Sequence, residues 1–278
     1  GKLLTLRANG SRFSLACLPK EDFPIIDQNN SGVNIKINSK IMFKLIDKTK
    51  FAISNEETRY FLNGLYFNIN KEENKSIVTL VGTDGHRLAK FSHYIEDNID
   101  QVSGVIIPKK TIYELSKLLS EKDQNVLISI SSNKIVFTIG NIIFISKLID
   151  GSFPDYKRVI PKDNSNILKI NREMLLSAVD RVSTIANEKS PVIKFKLLQN
   201  VLNLNTINNE SSTASEDLKI NYNGDDIEIG FNSKYIMDIV NNLEDEEISI
   251  NLKDNTSPVI ATENSNSNLV YVLMPMRV

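Results

Sequence analysis

Two segments of the chain repeat one pattern of apolar and polar positions. The first, INSKIMFKLIDKTKFAIS, begins at Ile37, and the second, INREMLLSAVDRVSTIAN, begins at Ile170. In both, apolar residues recur at intervals of three and four positions, which predicts an amphipathic helix. A second related pair, Lys109–Leu119 and Asn232–Leu243, has the same spacing. The apolar stripes of the first pair are Ile41, Met42, Leu45 and Thr49, and Met174, Ala178, Val182 and Ile185.

Between these helices the pattern changes to strict alternation. Apolar and polar residues alternate from Val126 to Ile130, and the alternation resumes at Ile135 after the turn sequence SSNK. A second turn, GN at position 140, leads into IIFISKLI, so the segment is typical of antiparallel strands joined by hairpins. Each repeat unit therefore reads helix, strands, helix, strands. This order predicts an α+β fold of repeated domains, each with two helices packed on antiparallel sheet.

A shorter echo indicates how the chain divides. LPKEDFP (Leu18–Pro24) and LIDGSFP (Leu148–Pro154) share the spacing L-x-x-x-x-F-P. The second copy closes the unit that holds the first helix pair, so the first copy should close an earlier unit. We therefore expect residues 1–28 to be the closing strands of a truncated first domain, 29–152 a middle domain and 153–278 a C-terminal domain. The alternative is that Phe-Pro is simply a common pair at the edge of a turn.

Composition narrows the possible classes of protein. The 278 residues are 41% hydrophobic and 24% charged, an ordinary globular balance, and no apolar run reaches the length of a membrane span. One cysteine, Cys17, excludes an internal disulfide and a cysteine-based zinc site. The start of the chain has no signal-peptide layout and no Met. We expect a cytoplasmic protein without a membrane partner, in a processed form or as a fragment.

The net charge of −1 means that nucleic-acid binding would have to depend on local basic patches. The predicted helices that begin at Ser39 and at Pro108 are both rich in lysine, whereas the helices of the last unit are roughly neutral. A basic helix face is usually only a solvated surface. Two such helices in one repeat unit favour an anionic partner more strongly than either helix would alone.

The segment TDGHR, residues 83–87, is the most obvious place for chemistry. On a strand, Asp84 and His86 would point to the same face. However, a hydrolase also needs an activated nucleophile, and the chain has no G-x-S-x-G elbow and no glycine-rich phosphate loop. A metal site would need further ligands, and the second histidine is His93. The sequence favours a non-enzymatic protein without catalytic residues, metal or cofactor, and a hydrolase that uses His86 is kept as an alternative.

Several segments together resemble the bacterial sliding clamp, the β subunit of DNA polymerase III. They are TDGHRLA, SKLIDGSFPDYKRVIP, RYFLNGLYF, IGFNSKY and YVLMPMRV, and they occur in family-like order along essentially the whole chain. The resemblance implies the DNA-clamp fold and a ring of two chains, closed head to tail around duplex DNA, that confers processivity on the polymerase. Only the last two domains and the closing strands of the first are matched. A clamp-like protein that binds peptides but never encircles DNA is therefore the alternative.

The resemblance also implies a shallow apolar pocket between the middle and last domains. Short peptides of the Q-x-x-L-F kind, from polymerase III subunits, the clamp loader and repair proteins, would dock there. Adaptable methionines and a glycine that admits a peptide backbone suit this role. The residues that match the family's pocket are Leu62, Thr83, Gly85, His86, Arg87, Leu88, Pro154, Arg158, Val159, Asn232, Tyr235, Val272, Met274, Pro275, Met276 and Arg277.

The remaining implied sites concern DNA and the second chain. Sequence-independent attraction of phosphates needs lysine and arginine on the helices that line the hole, with the acidic run 244–247 on the outer side. The expected DNA-binding residues are Lys44, Lys48, Lys109, Lys110, Lys117 and Arg181, with Arg59 and Tyr60 from a loop that stacks on bases. The full-length chain would form a homodimer. Its expected interface residues are Phe13 and Leu15 on one side, and Thr184, Ile185, Asn187 and Glu188 on the other.

Overall fold

The computed structural model describes residues 2–23, 32–72, 75–95, 99, 102–119, 123–187, 191–207 and 212–277. Within these ranges the α-helices are α1 (Ser39–Lys50), α2 (Lys109–Leu119), α3 (Arg172–Ser183) and α4 (Ser233–Asn242). The strands are β1 (Lys2–Ala8), β2 (Ser11–Cys17), β3 (Val33–Asn38), β4 (Gly64–Glu72), β5 (Lys75–Thr83), β6 (Arg87–Ile95), β7 (Val102–Pro108), β8 (Asn125–Ile130), β9 (Lys134–Ile139), β10 (Ile142–Lys147), β11 (Asn166–Asn171), β12 (Val192–Leu198), β13 (Val201–Ile207), β14 (Thr213–Lys219), β15 (Ile227–Asn232), β16 (Glu247–Leu252), β17 (Val259–Glu263) and β18 (Leu269–Leu273).

Residues 2–17 form a hairpin of β1 and β2, and a single 3-10 turn follows at Lys20–Asp22. The two-residue turn of the hairpin, Asn9-Gly10, has positive φ angles of 45° and 83°, as a hairpin that follows the strand twist requires. The apolar side chains on both strands are exposed, among them Phe13 at 55% and Leu15 at 46%. Pro24, which belongs to the L-x-x-x-x-F-P echo, lies outside the described residues.

From residue 32 onward the strands form three antiparallel sheets, and the four helices pack on them in pairs. Two four-stranded sheets have the orders β10-β9-β8-β3 and β14-β13-β12-β15. An eight-stranded sheet has the order β11-β16-β17-β18-β6-β5-β4-β7. Helix α1 packs beside α2, and α3 packs beside α4. The predicted α+β arrangement and the strand meander β8-β9-β10 are confirmed.

The eight-stranded sheet joins the two repeat units that the sequence predicted as separate domains. Strand β18 of the last unit pairs antiparallel with β6 of the first, with Val272 opposite Leu88 and Leu273 opposite Arg87. One apolar core then runs continuously beneath this sheet, from Ile35 in the first unit to Leu273 in the second. The repeat pattern could not show this pairing, because each copy of the pattern describes only its own unit.

The repeated Ile-Asn dipeptide has a local structural cause. Asn38 precedes α1 and accepts a hydrogen bond from Lys40 N at 2.9 Å, and Asn171 accepts one from Met174 N at 2.9 Å. Each asparagine therefore caps a helix N-terminus, where backbone N–H groups have no intrahelical partner. The predicted stripe of α1 is buried at Met42, Leu45 and Thr49.

The predicted stripe of α3 is wrong at its end. The helix stops at Ser183, so Ile185 lies beyond it in a turn in which Ala186 N donates to Ser183 O at 2.9 Å. Val182 is the last buried residue of the stripe.

Tyr271 of β18 links the helices of both units to the shared sheet. Its ring is fully buried and meets Phe51 edge-on, with 5.4 Å between the centroids. Its hydroxyl lies 3.1 Å from Lys48 O and 3.4 Å from Asn242 O, near the ends of α1 and α4. Burial raises the pKa of this phenol, so it stays protonated and donates the hydrogen bond.

We predict that Tyr271→Phe lowers the free energy of unfolding by about 1 kcal/mol, because both carbonyls lose a buried donor while the packing is retained. Urea unfolding measures this. Tyr94, whose side chain is 46% exposed, provides the matched control, and Tyr94→Phe should change stability by less than about 0.5 kcal/mol. Equal stability of the Tyr271 variant and the native chain would contradict the linking role.

Candidate functional site

The TDGHR segment is a tight turn between β5 and β6, so Asp84 and His86 do not lie on a strand. The Asp84 carboxylate accepts hydrogen bonds from His86 N at 2.9 Å and Arg87 N at 3.0 Å. Thr83 Oγ1 donates to Arg87 O at 2.6 Å. Gly85 has a φ of +88°, and a Cβ there would come within 2.5 Å of Arg59 Nη1. Asp84 thus serves the turn, and the Asp-Gly dipeptide was the signal for it in the sequence.

Arg87 fixes this turn against both repeat units. Its guanidinium donates to Asp84 Oδ2 at 3.0 Å, to Asp238 Oδ2 at 2.5 Å and to Phe51 O at 2.9 Å. It also lies over the ring of Tyr235, 4.3 Å from the centroid. The side chain is only 10% exposed, so its charge is almost wholly committed to these partners. A planar group that donates to three separate acceptors and also stacks on a ring needs an arginine rather than a lysine.

A cavity of about 360 Å³ opens beside the turn. Its walls come from the β5–β6 turn, from the segment before β4, from the connector after β10 and from β18. The structure brings together these predicted pocket residues: Leu62, Thr83, Gly85, Arg87, Leu88, Pro154, Val159, Val272 and Met274. The prediction for the pocket missed Arg59, Phe61, Asp155 and Tyr156, which also line it. Phe61 and Asp155 are next to predicted pocket residues, Tyr156 is two positions from one, and Arg59 was expected to bind DNA. The family-like segments RYFLNGLYF and SKLIDGSFPDYKRVIP contain all four residues.

The cavity has an apolar floor and an apolar rim. Leu88, Tyr156 and Val272 are at most 6% exposed and form one cluster on the outer face of the eight-stranded sheet. At the rim, Val159 is 48% exposed and Met274 is 39% exposed. When an apolar group of a ligand enters the cavity, apolar surface of both the ligand and the protein is therefore removed from water.

Other predicted pocket residues stand outside the lining of this cavity: His86, Arg158, Asn232, Tyr235, Pro275, Met276 and Arg277. Several of them have contacts elsewhere. His86 stacks on Tyr235 with centroids 6.5 Å apart. Asn232 caps α4 by accepting from Lys234 N at 3.0 Å, and Met276 N donates to Gly230 O at 2.8 Å.

Arg158 is paired with Asp155 at 2.9 Å, and its side chain is 84% exposed. Asp155 lines the cavity, whereas Arg158 does not. Among the residues that the structure describes, no group of three or more His, Cys, Asp or Glu side chains is arranged to hold a metal ion. Within the same residues, no helix is both long and apolar enough to cross a bilayer.

Lys48 departs from its expected role as a phosphate-facing residue. Its side chain is 7% exposed, and its ammonium donates to Asn242 O at 2.7 Å and pairs with Glu244 at 2.6 Å. Lys44 pairs with the same carboxylate at 3.3 Å. Hydrogen bonding from Lys48 is the main cause that lowers the pKa of Glu244, and Lys44 adds to it. Glu244 therefore lies against α1, which corrects the expectation that it lies on the outer side.

Most other expected DNA-binding cations also have partners. Arg181 forms two hydrogen bonds with Glu216, at 3.0 and 2.6 Å, and Lys117 pairs with Glu114 at 2.9 Å. Lys109 contacts Asn55 and lies 5.7 Å from the ring centroid of Tyr113. Lys110 is exposed on α2.

The two residues of the expected DNA-binding loop lie in different environments. Arg59 holds Glu56 through two hydrogen bonds, at 2.7 and 2.6 Å, and lines the cavity. Tyr60 is 55% exposed and meets Phe61 edge-on.

The expected dimer residues after α3 differ in exposure. Thr184 is exposed, and its hydroxyl donates to Asp180 O at 3.1 Å. Ile185 and Asn187 are partly exposed, and Glu188 lies outside the described residues.

Comparison with known proteins gives a consistent family. Residues 36–155 match the central domain of the DNA polymerase III beta subunit, and residues 157–277 match its C-terminal domain. The beta sliding clamp of Caulobacter vibrioides is 38% identical over 275 residues, covering 99% of this chain and 74% of the relative. The beta sliding clamp of Escherichia coli K12 is 37% identical over 277 residues, covering 100% and 74%.

Solved structures agree. The sliding clamp of Bartonella birtlesii bound to griselimycin is 42% identical with a TM-score of 0.92, covering 99% of this chain and 74% of that one. The Pseudomonas aeruginosa clamp bound to griselimycin is 36% identical with a TM-score of 0.91, covering 100% and 74%. Since both repeat units match and the fold agrees along nearly the whole length, the chain belongs to the DNA polymerase III beta subunit family, the beta sliding clamps, which are processivity factors and not enzymes.

Proposed function

We propose that this chain acts as a DNA sliding clamp that tethers the replicative polymerase to duplex DNA and docks partner peptides in the cavity beside the β5–β6 turn. The partners are polymerase III subunits, the clamp loader and other proteins with clamp-binding motifs. The observation that carries the docking role is the apolar cavity itself, which is built by both repeat units and their connector. It needs no catalytic group and no cofactor.

Domain organisation and assembly are part of the same proposal. Residues 1–28 supply the closing strands of a first domain, 29–152 the middle domain and 153–278 the C-terminal domain. Exposed Phe13 and Leu15 on β2 support the proposal that this hairpin meets a second copy at the segment after α3. The full-length homodimer would encircle DNA in the cytoplasm.

The energetics of docking follow from the apolar surface of the cavity. Burial of a leucine or phenylalanine side chain contributes about 1.5–3 kcal/mol. A peptide with two such anchors, after the cost of ordering it, should reach a dissociation constant of about 1 μM, or roughly −8 kcal/mol.

We predict that Val159→Asp weakens the binding of a Q-x-x-L-F peptide by at least about tenfold, because an apolar anchor would desolvate the new carboxylate at the rim. Calorimetry on both chains measures the change. Ile167→Asp is the matched control, since Ile167 is 47% exposed on β11 and lies outside the cavity. If the Val159 and Ile167 variants bound the peptide equally well, the cavity would not be the docking site.

A second variant tests whether His86 contacts the bound peptide directly. His86→Ala should weaken the same peptide by less than about threefold, because His86 stacks on Tyr235 outside the cavity lining and leaves the anchors in place. A loss of binding comparable to that of Val159→Asp would assign His86 a direct contact. The same variant, tested for hydrolysis of generic ester substrates, addresses the alternative of a His86 hydrolase.

The proposed DNA attraction is electrostatic and depends on exposed cations rather than on all lysines of the helices. We predict that Lys109→Gln with Lys110→Gln lowers affinity for a short labelled duplex at low salt and flattens the slope of log K against log salt by roughly 2. The effect should vanish at high salt, where exposed charges are screened.

The double variant Lys169→Gln with Lys253→Gln removes the same charge from exposed positions away from α1 and α2. It should leave the salt slope nearly unchanged. Equal effects of the two double variants would show that net charge alone governs binding and would contradict the role of α2.

A further inference from the structure

Lys90 lies beside the floor of the cavity. It follows Leu88 by two positions on β6, so both side chains project from the same face of the sheet, about 6.6 Å apart along the strand. In the strand register Lys90 is opposite Val81 on β5 and Val270 on β18. Both valines pack in the apolar cluster that contains Leu88 and Val272. The lysine is therefore a partly buried cation at the edge of an apolar floor.

The charges around the cavity are balanced except at this edge. Arg59 is paired with Glu56, Arg87 with Asp84 and Asp238, and Arg158 with Asp155. Within the described part of the chain, neither Lys90 nor Lys157 forms an ion pair. Lys157 is exposed in the turn Tyr156–Arg158, next to a tyrosine that lines the cavity.

The two lysines also act on each other. Burial lowers the pKa of Lys90, the charge of Lys157 lowers it further, and Glu72 acts in the opposite direction. The ammonium of Lys90 is thus partly desolvated and close enough to a second cation to be repelled by it. A desolvated cation without a carboxylate partner is unfavourable in the free protein. A ligand carboxylate placed between the two lysines would relieve both the desolvation and the repulsion.

We propose that Lys90 and Lys157 form an anion-binding extension of the cavity, so that the preferred partner peptide carries an acidic residue next to its apolar anchors. This inference rests on the proposed docking function and adds a specificity to it. Charge complementarity and continuity with the cavity floor identify the occupant as an acidic peptide segment. The apolar anchors would supply most of the affinity, and the two lysines would distinguish among peptides with the same anchors.

The test uses three peptides with one Q-x-x-L-F anchor: one with neutral flanks, one with aspartates before the anchor and one with aspartates after it. Calorimetry at low salt should show that one of the acidic peptides binds about fivefold tighter than the neutral peptide, as partly exposed charge pairs allow. This preference should shrink at high salt. Equal or weaker binding of both acidic peptides would overturn the proposal.

Variants of the two lysines complete the test. Lys90→Met and Lys157→Gln should each reduce the ratio of acidic to neutral affinity, and together bring it to about one. Lys90→Arg should keep it. Lys157→Gln changes an exposed residue, so it tests the proposal even if Lys90→Met folds poorly. Lys169→Met, an exposed lysine on β11, is the control and should leave the ratio unchanged.

Two further outcomes would count against the inference. A ratio that survives in the double variant would assign the acidic preference to another part of the surface. Failure of all three peptides to bind the native chain would overturn the docking function itself, and the acidic preference with it.

Discussion

The antiparallel pairing of β18 with β6 is the interaction on which the rest of the molecule depends. It places Val272 opposite Leu88, so two residues of the cavity floor come from different repeat units. It also carries Tyr271 into the core between the ends of α1 and α4. Without this ladder the two repeat units would each keep a helix pair, but no cavity would exist between them and their connector.

Arg87 fixes the position of the β5–β6 turn next to that pairing. It begins β6 opposite Leu273, and its guanidinium ties the β5–β6 turn to Phe51 at the end of α1 and to Asp238 on α4. Because the side chain is nearly buried, removal of Asp84 or Asp238 would leave its charge only partly compensated, which is more costly than loss of an exposed pair. The network of Arg87 therefore holds the cavity wall in place before a ligand binds. A preorganised wall lowers the entropic cost of binding.

Local features of the fold were predictable from the sequence, and features that join the two units were not. Helical spacing found α1 and α2, and the alternation from Val126 onward found the meander, because both patterns reflect burial of a single face. The family motifs then placed most of the cavity wall. Lys48 was misjudged because its burial depends on Asn242 and Glu244 from the other unit. The role of Asp84 was missed for a different reason: the Asp-Gly turn signal was present, but Asp84 and His86 were considered only as residues of a strand.

The ion pairs of α1 reduce the contribution that its lysines can make to DNA attraction in the proposed sliding function. The number of lysines on α1 overstates the positive electrostatic potential of the helix, because Glu244 forms ion pairs with both Lys44 and Lys48. Attraction to DNA would then rest on fewer, more exposed cations such as Lys110, whose contacts with phosphates are loose and screened by salt. Weak attraction suits a ring that must move along its substrate. Cations that recognise one partner require the opposite arrangement, with partial burial and no ion pair within the protein, and within the described residues Lys90 meets both conditions.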